Sequence, residues 1–268
     1  MNRVWKVSLA VAIILAAGIA TTLILGGGQR PHPAPSTTPS SAPAPATPPT
    51  GAGFADPTTD RLGRKITIPN NPAGQILAQR EPGPRTECGP GQAVSSPESV
   101  MIQRSYGMPI LMSATDGPTR LDNTTLLGYR RSPQGAALAG WNAIARTFAA
   151  EPAVVIEALG KLAILAPEKQ AALTGQPTHP TPEADRYRRL FAAPDAFRIL
   201  SCDDTFAAVE LAVQIPPEPA SKPARQWAGI RVNLVWRGDW LVQTSQDPRS
   251  LGSGQKYPNL EGWTPWAF

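Results

Sequence analysis

Three carboxylates in the last third of the chain are the residues best suited to acid–base chemistry. Asp203 and Asp204 are adjacent, and Glu210 follows within an alternating apolar segment. Paired carboxylates in a pocket can exchange protons with a substrate or bind its polar groups. Adjacent aspartates also commonly cap a turn, because their side chains accept hydrogen bonds from nearby backbone amides. We treat Asp203, Asp204 and Glu210 as candidate pocket carboxylates, with a turn between strands as the structural alternative for the aspartate pair.

Other catalytic signatures are missing from the sequence. The two histidines, His32 and His179, lie in proline-rich segments, so a serine or cysteine nucleophile has no evident base. Two cysteines are too few for a zinc cluster or an iron–sulfur centre, and there is no glycine-rich phosphate loop. We predict no catalytic residue, no metal and no cofactor, and therefore not an enzyme.

An apolar segment near the start of the sequence predicts a membrane anchor. Residues 7–28 contain no charged residue, and about 20 residues of helix cross the hydrocarbon core of a bilayer. Arg3 and Lys6 precede the segment and only Arg30 follows it closely, which favours a cytoplasmic N-terminus. A cleaved signal peptide is the alternative, although its apolar region is usually shorter, about 7–15 residues. The prediction is a single-pass plasma-membrane protein, with residues 1–28 as cytoplasmic tip and anchor.

The composition after the anchor predicts a linker followed by an extracytoplasmic domain. Residues 29–58 are rich in Pro, Ala, Ser and Thr, and proline disfavours helix and sheet because it fixes φ and lacks an amide proton. We interpret them as a disordered, semi-extended spacer. Residues 59–98 continue as an irregular Pro/Gly-rich lead-in, residues 99–245 form the folded domain, and residues 246–268 form an aromatic tail.

The two cysteines are candidates for a disulfide in such a domain. Cys88 lies in a Gly/Pro-rich loop and Cys202 follows a strand-like run, and extracytoplasmic compartments permit such residues to pair. Their bridge would close a loop of over a hundred residues, worth up to about 4–5 kcal/mol in the chain-entropy model. Two unpaired thiols are the alternative.

The folded domain shows helix patterns followed by strand patterns. Serine at a cap and proline at the first helical position mark helix starts, and three helices are predicted: 132–149, 152–165 and one from 181 onward. In the second helix, Glu157 and Lys161 are spaced for an ion pair. Alternating apolar residues predict an edge strand at 66–68 and long strands over 207–215 and 228–236. This order predicts an α+β fold, with helices packed on a curved antiparallel sheet.

Three aromatic residues crowd the C-terminal tail: Trp263, Trp266 and Phe268. Large exposed apolar groups mark partner sites, and tryptophan is a frequent interface anchor. We therefore treat the three as candidate interface aromatics. The alternative is a tail that folds back onto its own sheet.

Several short motifs carry a resemblance to a known family. They are Asp116-Gly117-Pro118, Gly128-Tyr129, the run from Ser132 to Ala139, and Gly238-Asp239-Trp240. Together they resemble a family of actinobacterial single-pass membrane proteins associated with conjugative elements. The resemblance covers about residues 95–245 and implies a cone-shaped, nuclear-transport-factor-2-like α+β domain. That fold also serves scaffold subunits of type IV secretion and conjugation machines, so the resemblance implies an assembly component.

The number and distribution of charged residues restrict the classes of function that we expect. The chain of 268 residues carries 25 Lys and Arg against 20 Asp and Glu. The charges are scattered rather than clustered, so we expect no direct nucleic-acid binding. The leading hypothesis is a membrane-anchored extracytoplasmic scaffold or interaction module, with protein partners in an envelope complex such as a conjugation or type IV-like secretion apparatus. The alternatives are a cone-fold domain that binds or hydrolyses a small ligand with the pocket carboxylates, and a protein of cell-envelope maintenance.

Overall fold

The chain forms thirteen strands and two helices within the residues that the computed structural model describes. These residues are 51–81, 83, 94–165, 188, 191–216, 225–243 and 255–268. The strands are β1 (Phe54–Thr59), β2 (Lys65–Pro69), β3 (Met101–Ser105), β4 (Met108–Met112), β5 (Arg120–Asp122), β6 (Thr125–Leu127), β7 (Ala163–Ile164), β8 (Ala196–Cys202), β9 (Phe206–Gln214), β10 (Trp227–Trp236), β11 (Trp240–Gln243), β12 (Lys256–Tyr257) and β13 (Thr264–Pro265). The helices are α1 (Pro133–Thr147) and α2 (Pro152–Leu162).

The strands assemble into three sheets. A four-stranded sheet has the order β1-β2-β3-β4 and is antiparallel except for the parallel pair β2 and β3. A seven-stranded sheet has the order β13-β8-β9-β10-β11-β7, with β12 paired to β10. Its centre is the long antiparallel set β8, β9 and β10. Strands β5 and β6 form a separate hairpin.

Helix α1 is buried along almost its whole length between the two larger sheets. Ser132 caps its N-terminus by accepting a hydrogen bond from the Gly135 amide at 3.0 Å. Trp141 donates to the Pro109 carbonyl of β4 at 2.9 Å, and Gly140 lies against the side chains of β10. A helix that buries all of its sides, rather than one stripe, needs packing partners on more than one side.

The predicted α+β fold, with helices packed on one curved antiparallel sheet in a cone-shaped arrangement, is wrong. The described chain is mostly strand, distributed over several sheets, and contains two helices. Strand β1 begins at Phe54, inside the range expected to be linker, and β2 lies in the expected lead-in. Both strands belong to the four-stranded sheet, whose strand β4 packs against α1. A single sheet was expected against the helices, but α1 has a sheet against each of two sides.

Several individual elements are predicted correctly. Helices α1 and α2 begin at the two predicted prolines, and β9 and β10 match the two long alternating segments to within one residue at each end. Strand β2 contains residues 66–68 but lies between β1 and β3 rather than at an edge. The anchor predicted at residues 7–28 lies outside the described residues, and of the helix predicted from residue 181 only residue 188, which is helical, is described before residue 191. No helix within the described ranges has the length and apolar character needed to cross a membrane.

The C-terminal residues return to the seven-stranded sheet. Strand β13 pairs with β8, and the Trp266 ring lies on that of Phe197, with ring centroids 4.4 Å apart. Trp263 and Trp266 are both buried, which corrects their interpretation as interface aromatics and fits a tail folded back onto its own sheet. Phe268 is exposed, and the Arg64 guanidinium lies over its ring.

Glu157 of α2 holds the β5–β6 hairpin. Its carboxylate accepts hydrogen bonds from the Asn123 side-chain amide at 2.6 Å and from the Thr124 hydroxyl at 2.7 Å. The ammonium group of Lys161 lies 2.9 Å away, so the predicted ion pair is confirmed. The hairpin and α2 are therefore joined through one carboxylate.

We expect the stabilisation from Glu157 to be lost in acid. Burial raises the pKa of Glu157, but hydrogen bonds from Thr124 and Lys161 outweigh it and lower the pKa to about 2. A carboxylate of depressed pKa stabilises the fold above its unfolded pKa of about 4.3 and stops doing so below its folded pKa. Urea unfolding of the wild type and Glu157→Gln between pH 7 and pH 2 should give a stability difference that shrinks below about pH 5. A difference that stays constant over this range would contradict the assignment.

Candidate binding pocket

A polar pocket of about 200 Å³ lies at the N-terminal end of α1. Its walls come from three segments that are distant in sequence: residues 95–98 before β3, residues 115–116 after β4, and residues 130–134 at the start of α1. Gly83 completes the lining. Most of the lining side chains are hydroxyls, carboxylates, an amide and one guanidinium, which suits a polar ligand.

Asp116 is the buried carboxylate of the pocket, only 5% exposed. One of its oxygens accepts a hydrogen bond from the Ser132 hydroxyl and the other from the Thr115 hydroxyl, both at 2.7 Å. Because the Ser132 oxygen also accepts the Gly135 amide, the carboxylate fixes the helix cap. Asp116 therefore positions the pocket wall through its neighbours.

Glu98 and Arg130 supply the more accessible charges of the pocket. Glu98 is exposed, and its backbone amide donates to the Thr115 hydroxyl at 3.2 Å. The Arg130 guanidinium donates to the Gly83 carbonyl at 3.2 Å. Among the described residues, neither charged side chain forms an ion pair, although both line the same pocket.

Asp239 fixes the segment that leads to Arg130. It is 6% exposed, and its carboxylate accepts hydrogen bonds from the backbone amides of Gly128, Tyr129 and Trp240. The turn between β10 and β11 thereby holds one wall of the pocket in place. Sequence reasoning recognised Gly238-Asp239 as part of a motif but gave no sign that the carboxylate points inward.

None of the three carboxylates predicted to line a pocket lines the one described here. Asp203 is exposed and accepts hydrogen bonds from the amides of Thr205 and Phe206, so it caps the turn between β8 and β9. The hydrogen bonds from Thr205, the backbone amide first, lower its pKa. Asp204 is exposed in the same turn. The turn alternative is therefore the correct interpretation of the aspartate pair.

Glu210 is fully buried and serves as an ion-pair centre within the seven-stranded sheet. Arg198 donates to it at 2.8 Å, Arg231 at 3.4 Å and the Tyr257 hydroxyl at 3.1 Å. The Arg198 guanidinium also lies over the Trp263 ring, 4.4 Å from its centroid. This arrangement joins β8, β9 and β10 to the C-terminal tail, which is a structural role.

Cys202, at the end of β8, is disulfide-bonded. Cys88 lies outside the described residues, so its pairing with Cys202 stays a prediction. Disulfides form and persist in oxidising compartments, so the bond at Cys202 is relevant to where the domain folds.

Ser132 is one of the hydroxyl residues that line the pocket, and its side chain is already engaged in hydrogen bonds. Ser132 donates directly to Asp116, but its oxygen is engaged as the helix cap, which leaves it poorly placed to attack a substrate. Both histidines lie outside the described residues. Within the described part of the chain, no group of three or more His, Cys, Asp or Glu residues is arranged to hold a metal ion.

The fold and the pocket together define a β-rich domain organised around one buried helix. Residues 67–265 match the family described as Domain of unknown function (DUF8175), and the chain belongs to that family. The match runs from within β2 to β13 and so includes the pocket and the seven-stranded sheet, whereas β1 of the four-stranded sheet lies outside it. No curated protein and no solved structure matches the chain.

Proposed function

We propose that the chain is a membrane-anchored extracytoplasmic interaction module with protein partners in an envelope complex. The observation that carries this proposal is the disulfide at Cys202, because disulfides form and persist in oxidising compartments. The apolar residues 7–28, followed by a proline-rich stretch, have the order and lengths of an anchor and a spacer. The β-rich domain is then presented on the outer side of the membrane.

Recognition rather than catalysis is supported by how the charged groups are used. Asp116, Asp239 and Glu210 hold hydroxyls, backbone amides and guanidinium groups of the chain itself. The resemblance to proteins of conjugative elements makes a conjugation or type IV-like secretion apparatus the complex in which we expect the partners.

Membrane topology is the direct test of this proposal. The full chain, tagged at both ends, is expected to stay in the membrane pellet after carbonate washing and to be released by detergent. Protease added to intact spheroplasts should remove the C-terminal tag and spare the N-terminal one. Ile14→Arg places a charge in the apolar segment, which is costly at the bilayer centre, and should reduce membrane retention.

Two outcomes would contradict the proposal. One is a mature protein that begins beyond residue 40 and separates from the lipid fraction. The other is a C-terminal tag that protease reaches only after lysis. Crosslinking in intact cells then tests the partner: recovery of a secretion or conjugation component supports the assembly role, and recovery of monomer alone contradicts it.

A further inference from the structure

We propose that the pocket at the N-terminus of α1 binds a free amino acid, with a preference for one whose side chain is cationic. The proposal goes beyond the interaction role and does not depend on the membrane anchor. It follows from the signs of the charges, their state of pairing and the size of the cavity.

The charges of the pocket match a zwitterion. Glu98 and Arg130 have opposite signs and line the same cavity, yet within the described chain neither forms an ion pair. A ligand with both an ammonium and a carboxylate group can satisfy both residues at once through charge-assisted hydrogen bonds. A simple amine or a simple carboxylate would engage only one of them.

Arg130 adds an orientation to this recognition, because a guanidinium group binds a carboxylate through charge-assisted hydrogen bonds. Arg130 precedes the helix by three residues and lines the pocket together with Ser132 and Gln134. The ligand carboxylate is therefore bound by Arg130, and the ammonium group faces Glu98.

Asp116 influences which amino-acid ligands the pocket prefers. Its carboxylate lines the pocket, is buried and is hydrogen-bonded to two hydroxyls, so it contributes negative potential at the site. With Asp116 and Glu98 set against Arg130 alone, the lining carries an excess of negative charge. Cationic amino acids are favoured over neutral ones, and anionic amino acids are the weakest ligands.

The size and rigidity of the pocket fit a ligand of this kind. Drug-sized ligands occupy sites of about 300–1,000 Å³, whereas this pocket measures about 200 Å³. Hydrogen bonds hold two of its walls in place. Asp116 fixes the helix cap, and Asp239 fixes the segment leading to Arg130. A preformed site loses little affinity to ordering when the ligand binds.

Titration calorimetry on the full chain in detergent micelles tests the proposal. The probes are lysine, alanine and glutamate, with acetate and methylamine as ligands that carry only one of the two charged groups. We expect lysine to bind more tightly than alanine and alanine more tightly than glutamate. The one-charge probes should bind at least about tenfold more weakly than alanine, as expected for the loss of one charge-assisted hydrogen bond.

Charge-removing variants locate the site. Arg130→Met and Glu98→Gln should each weaken alanine binding by about tenfold. The matched controls are Arg104→Met and Glu261→Gln, which remove the same charges from exposed residues outside the pocket and should leave binding unchanged. Circular dichroism melting of each variant separates lost binding from lost fold. Should Arg130→Met unfold, the exposed Glu98 and its control decide the matter.

Three results would overturn the inference. They are glutamate binding as tightly as lysine, methylamine binding as tightly as alanine, and no binding of any probe up to about 10 mM. Equal weakening of alanine binding by the pocket variants and by their controls would also show that the amino acid does not bind in this pocket. None of these results bears on membrane topology, so the failure of one proposal is distinguishable from the failure of the other.

Discussion

Replacing Gly135 by alanine should lower the free energy of unfolding by about 3–4 kcal/mol. In an exposed helix the same change is usually stabilising, because alanine has the higher helix propensity. At this position a Cβ atom would be driven into the backbone carbonyl of Arg130. That carbonyl cannot easily move, since it accepts the amide of Ser132 at 2.9 Å and the Trp240 indole at 2.9 Å. Urea unfolding of the full chain in detergent measures the loss.

Gly160→Ala is the matched control for this prediction. Gly160 lies in α2, is exposed, and has no atom within 4 Å of the position a Cβ would take. We expect a gain in stability of about 0.5–1 kcal/mol, because alanine loses less backbone entropy than glycine in a helix. A neutral or stabilising result at Gly135 would show that the first turn of α1 is not held against the preceding segment.

The contrast between these glycines shows what local sequence can predict. Ser132 and Pro133 identify the start of α1 because the cap bond and the fixed φ of proline are properties of neighbouring residues. The requirement for glycine at 135 arises from a close approach of the chain to itself, which no helix pattern encodes. Local signals therefore predicted where helices begin, and tertiary contacts decided what surrounds them.

The failure to predict β1, and with it a separate four-stranded sheet, has a related cause. Strand β1 is exposed throughout and contains Pro57, and the register shifts between Ala55 and Thr58. Proline is tolerated in edge strands and at bulges, so a proline-rich composition did not exclude this strand. It had no alternating apolar pattern to reveal it. With β1 missed and the strand at 66–68 placed at an edge, the sequence predicted one sheet, so α1 was given one packing partner instead of two.

The candidate pocket was missed because its residues are far apart in the chain. Glu98, Asp116 and Arg130 come from three segments that only the fold brings together. The adjacent pair Asp203 and Asp204 suggested a pocket, but both residues lie in a turn, where Asp203 accepts the Thr205 amide. Glu210 lay in a visible alternation, but its burial depends on Arg198 and the returning tail, which the alternation does not report.

Asp239→Ala should be among the most destabilising single changes in the domain, at about 4 kcal/mol. The carboxylate accepts the amides of Gly128, Tyr129 and Trp240 in a buried site. Each buried donor left without an acceptor costs about 1–3 kcal/mol, although water can enter and recover part of this. Asp239→Asn should also be destabilising, because its amide group can present one acceptor oxygen where two are used. Urea unfolding compares both variants with the wild type.

Asp203→Ala tests whether burial is the reason for the large loss of stability expected of Asp239→Ala. Asp203 also accepts backbone amides in a turn between strands, those of Thr205 and Phe206, but it is exposed. Water replaces the lost acceptor there, so the loss should be far smaller than at Asp239. If the two substitutions cost the same, turn geometry rather than burial accounts for the effect. If Asp239 dominates, the β10–β11 turn is what holds the wall carrying Arg130, and Asp239→Asn should then weaken alanine binding as well as stability.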